Sequence, residues 1–174
     1  LASMKRIQQV DYLASAGRIG LGWAESGGEA AGLVSTDSYL AADGIEYLRN
    51  APEMTLGQAI ADSNNSNVDF HLAIHSNAAP PSVAGTRRGP VVYYYATSPY
   101  GRQMAELREI YPDPSKVQVL PTTTLRELRR TNAPSALVEV AYHDNPEDAA
   151  WIRGNIDEIG KALSNAVAAY FGLR

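Results

Sequence analysis

Two polar stretches, each closing an apolar run, hold the residue types in this chain that could do chemistry. The first is residues 68–79, Val-Asp-Phe-His-Leu-Ala-Ile-His-Ser-Asn-Ala-Ala. Phe70, Leu72 and Ile74 alternate with His71, Ala73 and His75, the period of two that marks a strand. Pro80 and Pro81 cannot continue a ladder. His75 is therefore expected at the carboxyl end of a short, mostly buried strand, with Ser76 and Asn77 turning off it. In open α/β sheets ligands bind at that end. The second stretch is residues 135–145, Ser-Ala-Leu-Val-Glu-Val-Ala-Tyr-His-Asp-Asn, with Glu139 inside the apolar run. An ionised carboxylate among apolar neighbours is costly unless it is paired, hydrogen-bonded or near a metal. Glu139 is either a structural group bonded to a neighbouring loop or a chemical one, and the histidine-bearing strand end favours chemistry.

The remaining polar residues are weighed against these two. His71 shares the face of His75, but four residues of strand separate their Cα atoms by ~13 Å. Both cannot reach one metal ion at ~2 Å, so His71 reads as a packed or supporting histidine. His143 stands four positions beyond Glu139, nominally on the same face. If the two strands are neighbours, the polar ends His75-Ser-Asn and His143-Asp-Asn come together. Asp144 and Asn145 read as caps of a helix opening at Pro146. Arg87 and Arg88, in the Pro/Gly/Arg segment 80–90, read either as a solvated loop or as partners for substrate carboxylates.

Composition narrows the class. A chain of 174 residues is one domain by the usual size prior, 1–174, and is large enough for a real core. Leu1-Ala2-Ser3 ahead of Met4 reads as an expression remnant or as native sequence. Hydrophobic residues make up 45%, yet no run approaches the ~20 apolar residues of a membrane span. A net charge of −4 argues against nucleic acid as a partner. With no cysteine, neither a disulfide nor a thiolate metal site is possible. Any metal must be held by His, Asp or Glu. No signal-peptide hydrophobic segment is visible near the start.

The elements that must position the two stretches alternate between helix and strand. Asp11 to Gly17 allows a short helix, and Gly20, Gly22, Gly27 and Gly28 make a connection that contains Glu25 and Glu29. Residues 30–42 allow a helix stopped by Asp43-Gly44, and Ile45–Arg49 alternates as a strand. Thr55 is a good N-cap for a helix to about Ser63. After the histidine strand, Val91–Tyr95 reads as a strand whose tyrosines face both ways. A helix over about 98–111, a strand over 117–120 and a short helix over 122–130 follow. From Pro146 onward, Trp151, Ile152, Ile156, Ile159, Leu163, Val167, Tyr170 and Phe171 form a long apolar face at helical spacing. This alternation predicts an α/β domain: three layers, a mostly parallel sheet flanked by helices.

Phe70-His-Leu-Ala-Ile-His-Ser-Asn-Ala78, then Leu128-Arg and Ala133-Pro-Ser-Ala-Leu-Val-Glu-Val-Ala-Tyr-His-Asp-Asn145, then a terminal amphipathic helix, together resemble the zinc-dependent N-acetylmuramoyl-L-alanine amidases of bacteria and their phages. The likeness runs from about Gly44 to Gly172. It implies Zn2+ as cofactor, His75 as a metal ligand, Glu139 as the catalytic glutamate, and peptidoglycan as partner. The implied reaction is attack of a zinc-activated water on the amide joining N-acetylmuramic acid to L-alanine, with Glu139 as general base and then acid. The implied location is the cell envelope or the exterior, or release to the wall from a phage. In the family the first strand ends in a Gly-His motif whose His binds zinc, and a Glu at the next helix is another ligand. Here no histidine precedes His71. Glu25, or the nearby Glu29, stands near the place of the ligand glutamate. His143 is the substitute expected for the missing histidine. Arg49 and Asn50 occupy the place of the family's Thr-Arg. The rival reading is a non-catalytic peptidoglycan-binding module of the same fold. A serine α/β hydrolase is disfavoured by the lack of Gly-x-Ser-x-Gly.

Overall fold

The alternating histidine run forms strand β3 (Phe70–Asn77), and the Glu139 run forms β6 (Ser135–Tyr142). The structure, a computed structural model, describes residues 6–11, 39, 41–49, 55–96 and 106–173, with the backbone alone at 6–11 and 49. Four more strands complete a six-stranded sheet among these residues: β1 (Arg6–Asp11), β2 (Glu46–Arg49), β4 (Val91–Tyr95) and β5 (Gln118–Thr122). The order is β2-β1-β3-β6-β4-β5. Every pairing is parallel except β4 with β6. β3 and β6 are thus the two central strands, buried on both faces, as their near-continuous apolar sequences require.

Four helices lie wholly within the described residues: α1 (Leu56–Asn65), α2 (Arg126–Arg130), α3 (Pro146–Gly154) and α4 (Ile156–Tyr170). Thr55 caps α1 through a full capping box, its hydroxyl accepting from Gln58 N while the Gln58 side chain accepts from Thr55 N. On one face of the sheet, Phe70, Leu72, Ile74, Val92, Ala136, Val138 and Val140 pack with Trp151 and Ile152 of α3 and Ile159, Leu163 and Val167 of α4. On the other face Ala73 and Leu137 meet Ala59 of α1 and Leu128 of α2, with Tyr93 and Tyr95 alongside. Helices on both faces of a mostly parallel sheet make the three-layer α/β architecture.

Several elements differ from their expected form. Asp11 ends strand β1 rather than opening a helix. Its segment, Arg6-Ile-Gln-Gln-Val-Asp, has only two apolar residues at a spacing that suits either structure. Pairing on both sides, with β2 and with β3, decides it. Residues 12–17, Glu25 and Glu29 lie outside the described residues. Tyr39, Ala41 and Ala42 are helical, and the helix closes at Gly44 with φ +73, as Asp43-Gly44 suggested. Of the helix expected over 98–111, the described part is a single 3-10 turn at 106–109. The helix expected from Thr122 begins only at Arg126, because β5 runs on to Thr122. Pro121 fits there because β5 is the edge strand. The terminal apolar face is divided between α3 and α4 by Asn155, held at φ −133 and ψ 27.

The segment between β3 and β4 holds a 3-10 turn, Pro81–Val83, and is tied down by backbone groups. Asp144 Oδ2 accepts from Ala79 N and Gly85 N, and Asn145 Nδ2 donates to Gly85 O. Asn145 also caps α3, accepting from Glu147 N and Asp148 N. The buried Asp148 accepts from Gly89 N, Tyr142 N, the Tyr111 hydroxyl and Arg88 Nε. Gly89 sits at φ +97, and a Cβ there would lie 2.7 Å from Lys116 O, so glycine is required.

Two stability outcomes follow. Ile159 is 5% exposed within the helix-covered face, so Ile159→Asp should cost several kcal/mol through an unpaired buried charge. A thermal midpoint equal to the parent's would remove α4 from the core. Asp148→Asn turns an acceptor-only group into one that presents an amide to donors. It should lower stability by roughly 2–4 kcal/mol in chemical denaturation, the scale of a broken buried charged network. A loss below about 0.5 kcal/mol would mean that Asp148 does not anchor the loop.

Candidate active site

Parallel pairing of β3 with β6 sets the site. The register places His75 opposite Glu139, and partners in a parallel pair project on the same face of the sheet. Both stand towards the carboxyl ends of their strands. β1 ends alongside, with Asp11 in register with Ile74. Immediately beyond, the register slips by one residue: Asn77 pairs with Tyr142, so two steps along β3 match three along β6. This bulge lies beside the site, where bulges commonly re-aim side chains.

The two polar ends come together as their sequences suggested. His143 N donates to Asn77 O at 2.9 Å, and His143 Nδ1 lies 2.8 Å from Ser76 Oγ. Asn145 caps the following helix, whereas Asp144, expected to share that role, holds the loop at Ala79 and Gly85 instead. Arg88 is committed to Asp148 and to Glu147, so it is not available to a substrate carboxylate. Arg87 is exposed.

The residue that sequence reasoning passed over is Glu127. It lies in α2, a single helical turn whose other flank is the exposed Arg126, Arg129 and Arg130, and it is only 3% exposed. Glu127 Oε1 is 2.8 Å from His71 Nε2, and Glu127 Oε2 is 3.6 Å from His75 Nε2. His71, fully buried, reaches Ser63 Oγ of α1 at 3.0 Å through Nδ1. An ionised carboxylate can only accept, so His71 donates from Nε2 to Glu127, while its Nδ1 pairs with the Ser63 hydroxyl. His71 is thus the supporting histidine that strand geometry predicted. In sequence Glu127 reads as one more charge in an Arg-Glu-Leu-Arg-Arg tract. Its burial arises because α2 packs on the sheet over β6 and β4 and beside α1, with Glu127 reaching His71 and His75.

The two carboxylates near His75 are shifted in opposite senses. Burial alone would raise Glu127, but the His71 hydrogen bond and the proximity of both imidazoles, His71 and His75, bring it below the ordinary glutamate range. Burial raises Glu139, and His75 offsets this only in part. Glu139 Oε2 is buried with no hydrogen-bond partner among the described residues. A buried glutamate whose charged form burial disfavours is suited to exchanging a proton.

Zinc takes nitrogen and oxygen donors, and His75 with the carboxylate of Glu127 is of that chemistry. Among the described residues no group of three His, Asp or Glu side chains is placed to hold an ion. The residues present therefore fit part of a zinc site.

Comparison with known proteins bears on what this arrangement is. Residues 34–169 match the sequence family described as N-acetylmuramoyl-L-alanine amidase. No curated protein sequence matches the chain. Among solved structures, the catalytic domain of CwlV, an N-acetylmuramoyl-L-alanine amidase from Bacillus (Paenibacillus) polymyxa var. colistinus, superposes with TM-score 0.78 at 15% identity, covering 98% of this chain and 100% of that one. Ami1, an N-acetylmuramyl-L-alanine amidase from Mycobacterium smegmatis, gives 0.75 at 17% identity, over 99% of each chain. The catalytic domain of the CD27L endolysin, which targets Clostridia Difficile, gives 0.72 at 15% identity, over 95% of this chain and 97% of that one. The fold is that of these catalytic domains, and the match over residues 34–169 places the chain in the N-acetylmuramoyl-L-alanine amidase family.

Proposed function

We propose that the chain cleaves the amide bond between N-acetylmuramic acid and the L-alanine of peptidoglycan, acting outside the cytoplasm on the wall. The observation that carries this beyond family membership is the register of His75 with Glu139 on one face at the strand ends. Glu139 takes a proton from the attacking water and later passes it to the leaving amine, leaving a free L-alanine amino terminus on the stem peptide. Its buried oxygen, unpartnered among the described residues, suits the first step, and its raised pKa suits the second. A zinc ion, when bound, would lower the pKa of that water and polarise the scissile carbonyl. His75 would hold it. His143 remains a proposed ligand through Nε2, since Nδ1 is engaged by Ser76. Glu25 remains a proposed ligand from outside the described residues. Tyr93 and Tyr95, half-buried beside Leu137, flank this face of the sheet.

One observation favours a second reading. β1 ends in Asp11, and no histidine precedes His71. A chain lacking the first ligand would keep the fold as a non-catalytic wall-binding module. A zinc titration followed by a wall-digestion assay separates the two. The hydrolase holds about one zinc per chain and releases L-alanine amino termini, whereas the binding module stays folded, takes up no zinc and releases none.

Glu139→Gln should abolish wall hydrolysis while the protein stays folded with its metal content unchanged; hydrolysis at the parent rate would remove Glu139 from the chemistry. The metal-free variant should also melt at or above the parent's midpoint at pH 7, because the parent there carries a carboxylate whose charged form burial disfavours. With its folded pKa raised, Glu139 takes up its proton as pH falls through that pKa, so the difference should shrink under acid. A gap that widens on acidification would contradict the assigned direction.

His75→Ala should remove both bound zinc and activity, and His71→Ala should leave some zinc bound. Loss of zinc in His143→Ala, measured by metal analysis of folded protein, would identify His143 as a ligand. Full retention would exclude it.

A further inference from the structure

The carboxylate of Glu127 serves its two histidines differently. Towards His71 it makes a hydrogen bond of 2.8 Å, a normal length for a charge-assisted pair. Towards His75 the same group stands off at 3.6 Å, too far for a hydrogen bond. Two donors on one tetrahedral zinc, each with a bond of ~2.05 Å, lie about 3.4 Å apart. The His75 Nε2 to Glu127 Oε2 separation is therefore close to the span of two ligands of one ion. The surroundings agree with this. A ligating carboxylate is commonly held by a hydrogen bond on its other oxygen, and His71 supplies that bond, itself backed by Ser63. Glu127 is nearly buried, so its charge requires compensation. His71 meets one oxygen, and a cation between Glu127 and His75 would meet the other.

We infer that Glu127 is a zinc ligand in this chain, supplying with His75 two of the ion's protein donors. This rests on the zinc-dependent reading above and names a residue that neither the resemblance nor the sequence pattern pointed to. It also assigns His71 a task, since fixing Oε1 leaves Oε2 directed at the metal.

The test begins with zinc affinity measured by chelator competition on the intact chain. The parent should bind zinc, and Glu127→Gln, which keeps a hydrogen-bond acceptor for His71, should bind more than about 100-fold more weakly while retaining a folded circular-dichroism spectrum. Loss of a group that merely orients a ligand costs about 10- to 100-fold. A second variant, Glu127→Cys, gives a readout that a structural role cannot produce. The chain contains no cysteine, so a thiolate-to-cobalt charge-transfer band in the near ultraviolet, after loading with Co2+, would place position 127 in the coordination sphere. It decides the matter even if the Gln variant fails to fold. Zinc binding by Glu127→Gln within about 10-fold of the parent, or a cobalt-loaded Cys variant without the band, would overturn the inference while leaving the hydrolase reading standing. Failure of the parent to take up zinc at all would overturn both.

Discussion

The parallel contact between β3 and β6 is the constraint on which the rest of this structure depends. It brings together two segments about sixty positions apart in sequence, and its register decides which side chains share a face. A slip of one residue would send Glu139 to the helix-covered apolar side and leave His75 facing a valine. Apolar residues guard against that slip. Phe70, Leu72 and Ile74 on one strand, and Ala136, Val138 and Val140 on the other, are buried against α3 and α4. The packing on one face of the sheet thus fixes the chemistry on the other. The single-residue bulge past His75 releases the register only after His75 and Glu139 have been set opposite each other.

Around that pair the molecule holds two glutamates in contrasting environments. Glu127 lies against two imidazoles that favour its charged form despite its burial, whereas Glu139 lies in a β-strand with one oxygen unsatisfied among the described residues. Environments that push two carboxyl groups apart allow one to hold charge while the other trades protons.

Much of this was legible in the sequence, for local reasons. The alternation around His71 and His75, the Thr55 cap, the Asp43-Gly44 stop and the terminal apolar face all follow from short-range patterns that survive folding. The three-layer α/β arrangement, and the meeting of His75-Ser-Asn with His143-Asp-Asn, followed from placing those patterns in order. What escaped was non-local. β1 has almost no apolar signature and exists because strands lie on both sides of it. Glu127 sits among arginines in a five-residue helix, and only the packing of α2 over β6 and β4 turns it from a surface charge into a buried one. The bulge in β6 leaves no mark in a run of apolar residues.

The loop between β3 and β4 is fastened almost wholly through main-chain groups. Ala79 N, Gly85 N, Gly89 N and Gly85 O are held by Asp144, Asp148 and Asn145, all from the segment that opens α3. Backbone amides and carbonyls are common to nearly every residue type, so these fastenings are indifferent to the side chains between them. Pro80 to Ala84, Thr86 and Arg87 are exposed and carry none of the anchoring. Their identities can drift while the loop keeps its shape, provided Gly89 and the three anchoring side chains remain. The rim of the site is thereby separated from its foundation: surface recognition at this edge can diversify without disturbing the strand register beneath it.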